Sequence, residues 1–355
     1  MSPARSRRSV TIDDVALRAG VSRSSVSLSV NGKPGVAAAT RARVLTAAEE
    51  LGWRPHHAAR ALRGVHDTAV GLVITRSPRQ LSHEPFWTHF IAGIGKELGA
   101  AGHALKLCLA SDAEHESRVY RQWWAQQRVC GVIVVDVRHD DERLRLLREL
   151  SMPAVIAGPP HLAGGIPAVW SNDEACMDTV VRYLAAMRHR RIAWVTDNPA
   201  LGHAVVRTES FTRAADDLGL EAVTATQGAD PDVGRATRAL LAAERAPTAV
   251  IHESTMAAIA ALGVAKDMGI RVPGSLSILA WDDSPLCQVT QPALSVVRHD
   301  LYDYGARTAR GILGVVEGSG IRPDPPVVTT LQPRGSTSVL HQQGHSDQLR
   351  KANST

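Results

Sequence analysis

Long apolar runs, closely spaced cysteines and aromatic side chains are all scarce in this chain of 355 residues. No segment approaches the roughly 18 apolar residues of a membrane span. The N-terminal arginines are not followed by the apolar segment of a secretory signal, so we expect a cytoplasmic protein that does not enter a membrane. The cysteines Cys108, Cys130, Cys176 and Cys287 form no Cys-x-x-Cys pair, which favours free thiols over a disulfide framework or a zinc site.

Catalytic sequence motifs are also missing. The chain has no Gly-x-Ser-x-Gly elbow, no Walker loop and no His-Glu-x-x-His pair among its 15 histidines. The run from Gly93 to Gly99 resembles a dinucleotide-binding loop, but it lies inside a helical pattern and has one residue too many before its last glycine. We interpret these glycines as a place of close helix packing, and we expect no enzymatic activity, no cofactor and no metal.

Acidic residues are rare in the first 66 residues, which hold 11 of the 40 basic residues but only 4 of the 35 acidic ones. The rest of the chain therefore has almost equal numbers of basic and acidic residues. A basic N-terminal part joined to a nearly neutral body predicts a polyanionic partner for the N-terminal part alone.

Two short helical patterns in this basic part meet at a glycine. Thr11 and Asp14 form a capping-box pattern for a first helix over residues 12–19. Gly20 supplies a tight turn, and Ser22 caps a second helix. This is the helix-turn-helix pattern, whose second helix enters the major groove of DNA. The shared apolar core is expected from Val15, Ala16, Ala19, Val21, Val26 and Val30.

The second helix is predicted to expose small or basic side chains and no acid. These side chains belong to Arg23, Ser24, Ser25, Ser27 and Ser29. Such a face suits close approach to phosphates and base edges. A third helix is predicted over residues 40–51. Its core-facing residues are expected to be Val44, Leu45, Ala48 and Leu51.

From residue 68 onward, short apolar runs alternate with helical patterns. Strands are predicted over residues 69–74, 104–110, 131–135, 154–157, 192–196, 249–252 and 276–281. Helices are predicted over residues 86–101, 140–150, 174–187, 205–218, 231–244 and 254–268, with another beginning near residue 114. Continuous apolar runs that alternate with helices indicate parallel sheets covered on both faces. The expected fold is therefore an all-α head followed by an α/β body with two such halves.

Residues 10–64 resemble the DNA-binding headpiece of the LacI/GalR (lactose-repressor) family of bacterial regulators. The resemblance includes the three helices, the Asn31-Gly32 turn, the run Trp53-Arg54-Pro55 and a short fourth helix ending in Arg60-Ala61-Leu62-Arg63. The body resembles the effector-binding body of the same family, which is similar to periplasmic sugar-binding proteins. Its landmarks are His189-Arg190-Arg191-Ile192-Ala193, Arg207-Thr208-Glu209-Ser210-Phe211, Arg271-Val272-Pro273, Trp281-Asp282-Asp283 and Pro292.

The resemblance implies a domain organisation. A flexible N-terminus (1–9) precedes a helix-turn-helix DNA-binding domain (10–55) and a hinge helix (56–66). The effector-binding and dimerisation body, of the type I periplasmic-binding-protein-like fold, covers residues 67–337. Its N-lobe is expected from about 67–162 and 293–322, and its C-lobe from about 166–290 and 325–337, with the chain crossing between the lobes near residues 160–167, 289–294 and 321–327. The polar residues 338–355 are predicted to be a disordered tail.

The resemblance also assigns DNA contacts. The family's base-reading positions fall on Arg23, Ser24 and Leu28. Arg23 either pairs with guanine in the major groove or contacts a phosphate, and Leu28 either touches a thymine methyl or packs within the head. Phosphate contacts or helix caps fall on Thr11, Ser22, Ser25, Ser27, Asn31, Lys33, Thr40 and Arg41.

In this family the hinge becomes helical on DNA, and a leucine wedges into the minor groove. That leucine would be Leu62, flanked by Ala59, Arg60 and Arg63. His56 stands where many members have Asn, so this chain departs from the pattern there. Without the resemblance, the same segment is a flexible linker rich in Ala and Arg.

The resemblance places a small-molecule site between the lobes. The family's ligand-binding positions fall on Phe86, Trp87, Asn172, Arg207, Ser254 and Asp282. Arg207 and Asp282 suit hydroxyl or carboxylate groups, and the two aromatic rings either stack on a sugar or pack in the core. The chain departs from the common Asn-Asp and Asp-Arg pairs at Ser254-Thr255 and Gly158-Pro159-Pro160. A carbohydrate is expected, with a purine or another metabolite as the alternative.

These expectations describe a sequence-specific transcriptional regulator, most simply a repressor, associated with the nucleoid in the cytoplasm. It binds a palindromic double-stranded DNA operator as a homodimer, and the effector controls it allosterically. A solute-binding protein of the same body fold without a regulatory role is the alternative, which the basic head and the missing signal segment oppose. An enzyme that uses the cleft for turnover is the third interpretation, and no paired acid-base motif favours it.

Overall fold

The computed structural model describes residues 11–30, 34–51, 69–76, 81, 84–228, 232–320 and 325–340. The chain divides into two compact units, Met1–Asp67 and Thr68–Thr355. In the described part of the first unit, the helices are α1 (Ile12–Ala19), α2 (Arg23–Val30) and α3 (Ala38–Glu50).

The predicted helix-turn-helix is confirmed by its caps. The backbone N–H of Asp14 donates to the Thr11 hydroxyl at 3.4 Å, and the backbone N–H of Thr11 donates to the Asp14 carboxylate at 2.7 Å. The hydroxyl of Ser22 accepts from the backbone N–H of Ser25 at 3.2 Å, which caps α2. Gly20 ends α1 at φ 65°, a left-handed conformation that glycine adopts without steric cost.

The head core forms largely as predicted. Its buried members are Val15, Ala16, Ala19, Val26, Val44, Ala47 and Ala48, with Ile12, Val21, Val30 and Leu51 packed against them. Two predictions are wrong. Leu45 is 49% exposed, because the inward stripe of α3 follows the helical spacing of Val44, Ala47 and Ala48. Ser29 is buried rather than solvent-facing, because it lies three residues after the core residue Val26 on the same side of α2.

The N-lobe of the body is a parallel five-stranded sheet with helices on both faces. Its strands are β1 (Ala69–Ile74), β2 (Ala104–Leu109), β3 (Gly131–Val134), β4 (Ala154–Ala157) and β5 (Ala168–Val169) in the spatial order β2-β1-β3-β4-β5. Its helices are α4 (Pro85–Ala100), α5 (Ala113–Ala125) and α6 (Glu142–Glu149), with a short 3-10 helix at Pro160–Leu162.

The C-lobe is a six-stranded sheet in the order β11-β10-β9-β8-β6-β7, parallel except for the β10–β11 pair. Its strands are β6 (Arg191–Thr196), β7 (Glu221–Thr226), β8 (Ala249–His252), β9 (Ser277–Ala280), β10 (Ser295–His299) and β11 (Thr329–Gln332). The helices in this part of the chain are α7 (Asp173–Ala186), α8 (Gly202–Asp217), α9 (Arg235–Leu241), α10 (Thr255–Asp267), α11 (Pro285–Val289) and α12 (Leu301–Val316). The last of these, α12, returns to pack in the N-lobe core.

The lobes exchange chain at positions that differ from the predicted ones. Ala168 pairs with Ile156 in the N-lobe sheet, so the first crossing follows β5 instead of lying at 160–167. Val296 pairs with Ala280 in the C-lobe sheet, so the second crossing follows β10 instead of lying near residues 289–294. Both strands are short, and pairing with residues distant in sequence decides which lobe they join.

The segment after Pro333 is ordered as far as Leu340, contrary to the predicted disorder beginning at residue 338. The hydroxyl of Ser336 accepts from the backbone N–H of Ser295 at 2.8 Å and donates to the carbonyl of Ile278 at 2.6 Å. Further along, the backbone N–H of Leu340 donates to the carbonyl of Met187 at 2.9 Å. The polar residues here complete hydrogen bonds of the C-lobe, which explains their polarity. Residues 341–355 lie outside the described residues.

Two glycines allow α4 and α12 to touch through their backbones. A Cβ at Gly93 would overlap the carbonyl oxygen of Tyr302, and a Cβ at Gly305 would overlap the carbonyl oxygen of Phe90. This contact confirms the predicted packing role for Gly93. The prediction is wrong for Gly95 and Gly99, because a Cβ at either position would meet nothing within 4 Å.

We expect Gly93→Ala to lower the melting temperature of the protein, because the added methyl forces the two helices apart. Overpacking of this kind costs roughly 1–3 kcal/mol. Gly95→Ala is the matched control in the same helix, and it should be neutral or stabilising by up to about 1 kcal/mol, since alanine is the better helix former. Differential scanning calorimetry of the two variants measures both effects; equal shifts would contradict this account of the contact.

Candidate functional site

The first residues of α2 are exposed on the surface of the head. Arg23 and Ser24 are exposed, whereas Leu28 is half-buried. The hydroxyl of Ser22 lies 2.8 Å from that of Ser24 and 2.9 Å from that of Ser25, so the three serines form a compact polar group. Short side chains at a helix N-terminus leave room for a phosphate to reach the free backbone N–H groups.

An acidic side chain from α1 lies beside the predicted base-reading arginine. Oδ1 of Asp13 is 3.8 Å from Nε of Arg23, and the two side chains are 67% and 70% exposed. An exposed ion pair contributes little stability, so Arg23 can exchange Asp13 for a base edge or a phosphate at small energetic cost. The sequence of α2 alone gives no sign of this pair, because Asp13 comes from the neighbouring helix.

The other predicted DNA contacts fall into two groups. Thr11, Ser27, Thr40 and Arg41 are half-buried on the head, and Thr11 is also the N-cap of α1. The remaining ones, Asn31, Lys33, His56, Ala59, Arg60, Leu62 and Arg63, lie outside the described residues.

A cavity of about 420 Å³ lies between the two lobes of the body. It is lined by the residues that follow β1, β3 and β4 in the N-lobe and β6, β8 and β9 in the C-lobe. Ligands of parallel α/β sheets bind at this edge, since loops from several strands converge there. All six predicted effector-binding residues line the cavity, namely Phe86, Trp87, Asn172, Arg207, Ser254 and Asp282.

Five of these six residues already have hydrogen-bond partners within the protein, three of them in contacts that support the wall of the cavity. Trp87 is 2% exposed, and its Nε1 donates to the Glu84 carboxylate at 2.8 Å. Oδ1 of Asn172 accepts from both the backbone N–H and the hydroxyl of Thr329, each at 2.7 Å. The hydroxyl of Ser254 accepts from a backbone N–H in the first turn of α10, so Ser254 is the cap of that helix. These residues therefore shape the wall of the cavity.

Arg207, on α8, is the best-held cation of the cavity. Its Nε donates to Asp173 at 2.7 Å, and its Nη1 donates to Glu253 at 3.1 Å. The guanidinium also lies over the ring of Trp281, 5.0 Å from the centroid. Two carboxylates and an aromatic face hold the guanidinium plane in a fixed position.

Asp282 contacts His299, which ends β10, through a short hydrogen bond to Nε2. Burial by itself raises the pKa of the Asp282 carboxyl, but the neighbouring His299 and Arg207 outweigh it, and the pKa lies below its ordinary value. Asp282 is therefore ionised at neutral pH and is an acceptor for ligand hydroxyl groups.

Several carboxylates of the cavity were not predicted from the sequence. Asp136, Asp197 and Glu253 each lie within two residues of the end of a strand, and Asp173 begins α7. The first three could have been predicted from their positions directly after buried strands of a parallel sheet, where loops converge on a binding site. Glu84 precedes α4 and adds a carboxylate from the N-lobe.

The pKa values of these carboxyls depend on whether a neighbouring cation outweighs the effect of burial. Burial raises the pKa of Asp136 and Asp173, but Arg76 beside Asp136 and Arg207 beside Asp173 outweigh it, so both pKa values lie below normal. Burial raises the pKa of Asp197 to about 7, and the negative charges of Glu253 and Glu84 act in the same direction. Asp197 is thus the carboxyl of this group whose charge is least compensated.

A backbone contact joins the lobes beside the cavity. The N–H of Gly202, at the start of α8, donates to the carbonyl of Val137 in the N-lobe at 2.7 Å. A Cβ at position 202 would lie 2.7 Å from that oxygen and 2.6 Å from a methyl of Leu162. The close approach of the lobes at this point therefore requires glycine.

A second prediction concerns Asp197→Asn, which we expect to stabilise the protein at alkaline pH. A carboxyl whose folded-state pKa is about 7, above its ordinary value of 3.8, loses folding free energy as pH rises between these values. The amide removes this loss, so the difference in melting temperature from the wild type should grow from pH 5 to pH 8. A gain on the order of 1 kcal/mol is expected at pH 8.

The control for this measurement is Asp216→Asn, since Asp216 is exposed on α8. It should change the melting temperature little and by the same amount at every pH. A pH-independent effect of Asp197→Asn would show that its carboxyl is compensated in the folded protein.

Neither a membrane span nor a metal site is evident in the described part of the chain. No helix there is long and apolar enough to cross a membrane, and no group of His, Cys, Asp and Glu there is arranged to hold a metal ion. The four cysteines are free thiols, as predicted, with Cys176 and Cys287 buried and the other two half-buried.

A capped helix-turn-helix and a two-lobed body with an enclosed cavity define the class of ligand-responsive DNA-binding regulators. A family profile described as "Bacterial regulatory proteins, lacI family" matches residues 11–56, and one described as "Periplasmic binding protein-like domain" matches residues 181–337. The HTH-type transcriptional regulator CelR of Thermobifida fusca is 30% identical over 329 residues, covering 89% of this chain and 95% of CelR. The chain therefore belongs to the lacI family of bacterial regulatory proteins, which confirms the resemblance found in the sequence.

Other relatives and solved structures agree with this assignment. The HTH-type transcriptional repressor PurR of Serratia proteamaculans is 29% identical over 293 residues, covering 81% of this chain and 84% of PurR. The structure of a CelR–cellobiose complex has a TM-score of 0.69 at 27% identity, covering 92% of this chain and 99% of that chain. A lac repressor dimer bound to operator and an anti-inducer has a TM-score of 0.82 at 22% identity, covering 93% and 100%, and shows a shared fold.

Proposed function

We propose that this protein is a transcriptional repressor that binds a palindromic operator as a homodimer and responds to a small carbohydrate in the cleft. The observation that carries the proposal is the capped helix-turn-helix, with an exposed Arg23 and serine group, in a chain whose body has a cavity lined by charged and aromatic side chains. A dimer presents two such heads to two half-sites, so the operator has twofold symmetry. The relatives named as transcriptional regulators and repressors support this function.

In the proposed complex, α2 enters the major groove and positions its N-terminal residues on base edges. Arg23 donates two hydrogen bonds to a guanine, Ser24 contacts an adjacent base, and Leu28 packs on a thymine methyl. Phosphates are contacted by Thr11, Ser22, Ser25, Ser27, Asn31, Lys33, Thr40 and Arg41. The hinge residues His56, Ala59, Arg60 and Arg63 lie along the minor groove, where Leu62 wedges between bases.

The effector acts by preferring one arrangement of the lobes. Because the cavity is formed by residues of both lobes, a ligand that contacts both changes the energy of their relative positions. Coupling of this kind amounts to about 1–3 kcal/mol between effector and operator. The structure of CelR with cellobiose supports a carbohydrate as the effector class. We further propose that the protein acts beside the nucleoid in the cytoplasm and does not turn its ligand over.

The test of this function is selection of binding sites from random duplex DNA by the purified protein, with and without a panel of sugars. We expect a palindromic consensus. For Arg23→Ala, we expect a loss of about 1–3 kcal/mol on that consensus and a relaxed preference at one position of each half-site. Lys33→Ala should weaken specific and random DNA more evenly, since a phosphate contact carries no sequence information.

Arg18→Ala is the charge-matched control for Arg23→Ala, because Arg18 is an exposed arginine of α1 paired with Glu50 at 2.7 Å. It should keep the selected consensus. Recovery of no palindrome by the wild-type protein, or equal losses for Arg23→Ala on specific and random DNA, would contradict the proposed reading of DNA.

The wedge has its own prediction. Leu62→Ala should reduce both the affinity for the selected operator and the bend angle, because an alanine cannot unstack a base step. Bending is measured by fluorescence energy transfer between the ends of a labelled operator. Leu45→Ala, which removes an exposed leucine of the head, is the control and should leave the angle as it is. An unchanged angle for Leu62→Ala would exclude the wedge.

A further inference from the structure

The effector cavity contains more negative than positive charge. Its fixed cations are Arg76 and Arg207, whereas its carboxylates in the described residues include Glu84, Asp136, Asp173, Asp197, Glu253 and Asp282. The histidines do not reverse this balance. Burial lowers the pKa of His203 and leaves its ring neutral at pH 7, and His299 is paired with Asp282, so that it can offset that one carboxylate only. The side chains of the cavity thus carry an excess of acid in an environment with restricted access to water.

Both guanidinium groups are already occupied. Nε and Nη2 of Arg76 each lie 3.1 Å from Oδ2 of Asp136, and Arg207 is held by Asp173 and Glu253. Neither guanidinium forms an ion pair with a further carboxylate among the described residues, although the charge of Arg76 acts on Glu84 and Asp197 from a distance.

Two carboxylates form no ion pair among the described residues, and at both of them burial outweighs the nearby positive charge of Arg76, so that the pKa of each is raised. Asp197, from the C-lobe, accepts no hydrogen bond and forms no ion pair within the described part of the chain; only its backbone N–H is bound, to Glu253 at 3.1 Å. Glu84, from the N-lobe, accepts one hydrogen bond from Trp87 through Oε2. The negative charge of Glu84 raises the pKa of Asp197 across the cleft, and the charges of Asp136 and Asp282 act on Glu84 in the same direction.

Aromatic faces complete the cavity. Phe86 and Trp170 both line it, and Trp170 is half-buried there. Phe86 is fixed by stacking on Phe90, with 5.2 Å between the ring centroids. Aromatic faces attract cations and also pack against the C–H faces of a sugar ring. Carboxylates and aromatic faces together are the combination that recognises an organic ammonium group.

We infer that the effector is a carbohydrate that carries a protonated amine, with its ammonium group between Asp197 of the C-lobe and Glu84 of the N-lobe. This inference rests on the proposed regulatory function and specifies its ligand. A neutral sugar would displace water from these carboxylates and leave their mutual repulsion in place. An ammonium group compensates both charges and, since they come from different lobes, favours lobe closure.

The test uses matched pairs of sugars that differ only in their amines. The full-length protein is titrated calorimetrically at pH 7 with glucosamine and glucose, galactosamine and galactose, mannosamine and mannose, and the β-1,4-linked glucosamine disaccharide and cellobiose. We expect at least one amine to bind about tenfold or more tightly than its neutral partner, which corresponds to about 1.4 kcal/mol. N-acetylation of that amine should abolish the advantage, because it removes the charge.

Variants assign the effect to the two carboxylates. Asp197→Asn and Glu84→Gln should each weaken the amine about tenfold and leave the neutral partner within about twofold. Asp216→Asn, on the exposed surface of α8, should change neither affinity. A melting curve of each variant without ligand separates a loss of recognition from a loss of fold.

The inference is overturned if neutral sugars bind as tightly as their amines, if no amine of the panel binds, or if both carboxylate variants retain the preference. These outcomes differ from a failure of the proposed function, because site selection on DNA is measured without ligand. A protein that recovers its palindrome yet prefers neutral sugars remains a repressor with a different effector.

Discussion

The backbone contact between α4 and α12 is the constraint on which the shape of the cleft depends. Both helices begin at the cavity, where α4 supplies Phe86 and Trp87 and α12 supplies Tyr304. Gly93 and Gly305 allow the two helices to pack without intervening side chains. Since α12 follows the C-lobe strand β10 in sequence, seating it in the N-lobe also fixes where the chain returns between the lobes.

Charge pairing organises the C-lobe wall of the cleft in a similar way. Arg207 is buried, and removing a guanidinium from water is costly unless its donors are used. Asp173 and Glu253 use them, and Glu253 also accepts hydrogen bonds from Thr196 and the backbone of Asp197. Each carboxylate of this group is thus held by the strand ends that bring it there. The excess of carboxylates over cations arises only when the loops come together in the cavity. No single loop contains enough acidic residues to indicate it.

Local signals predicted much of the fold. The capping box at Thr11, the turn at Gly20 and strands such as Ala69–Ile74 depend on residues close in sequence, and the structure has them as expected. Elements whose position depends on pairing with residues distant in sequence were not predicted, or were assigned to the wrong lobe. Strand β5 has only two residues, and β10 joins its lobe by pairing with β9 and β11. Ordering of the chain to Leu340 likewise depends on acceptors more than fifty residues away.

In the candidate sites, too, the sequence predicted which residues are present but not which distant side chains they contact. The resemblance to a known family placed six residues around the cavity, and all six line it. It did not reveal that Asn172 and Ser254 are hydrogen-bonded to backbone groups, nor that Asp197 forms no ion pair in the described part of the chain. These facts depend on which groups meet in three dimensions. On the head, Asp13 approaches Arg23 from another helix, which a pattern on α2 cannot show.

The hydrogen bond from Gly202 to Val137 sets how closely the lobes approach. It joins two main-chain groups, so its length does not depend on the rotamer of any side chain. The larger the residue at position 202, the further the lobes would be held apart, because even one methyl group has no room there. A series of increasingly large side chains at this position would therefore increase the separation of the lobes step by step, without changing a residue that lines the cavity.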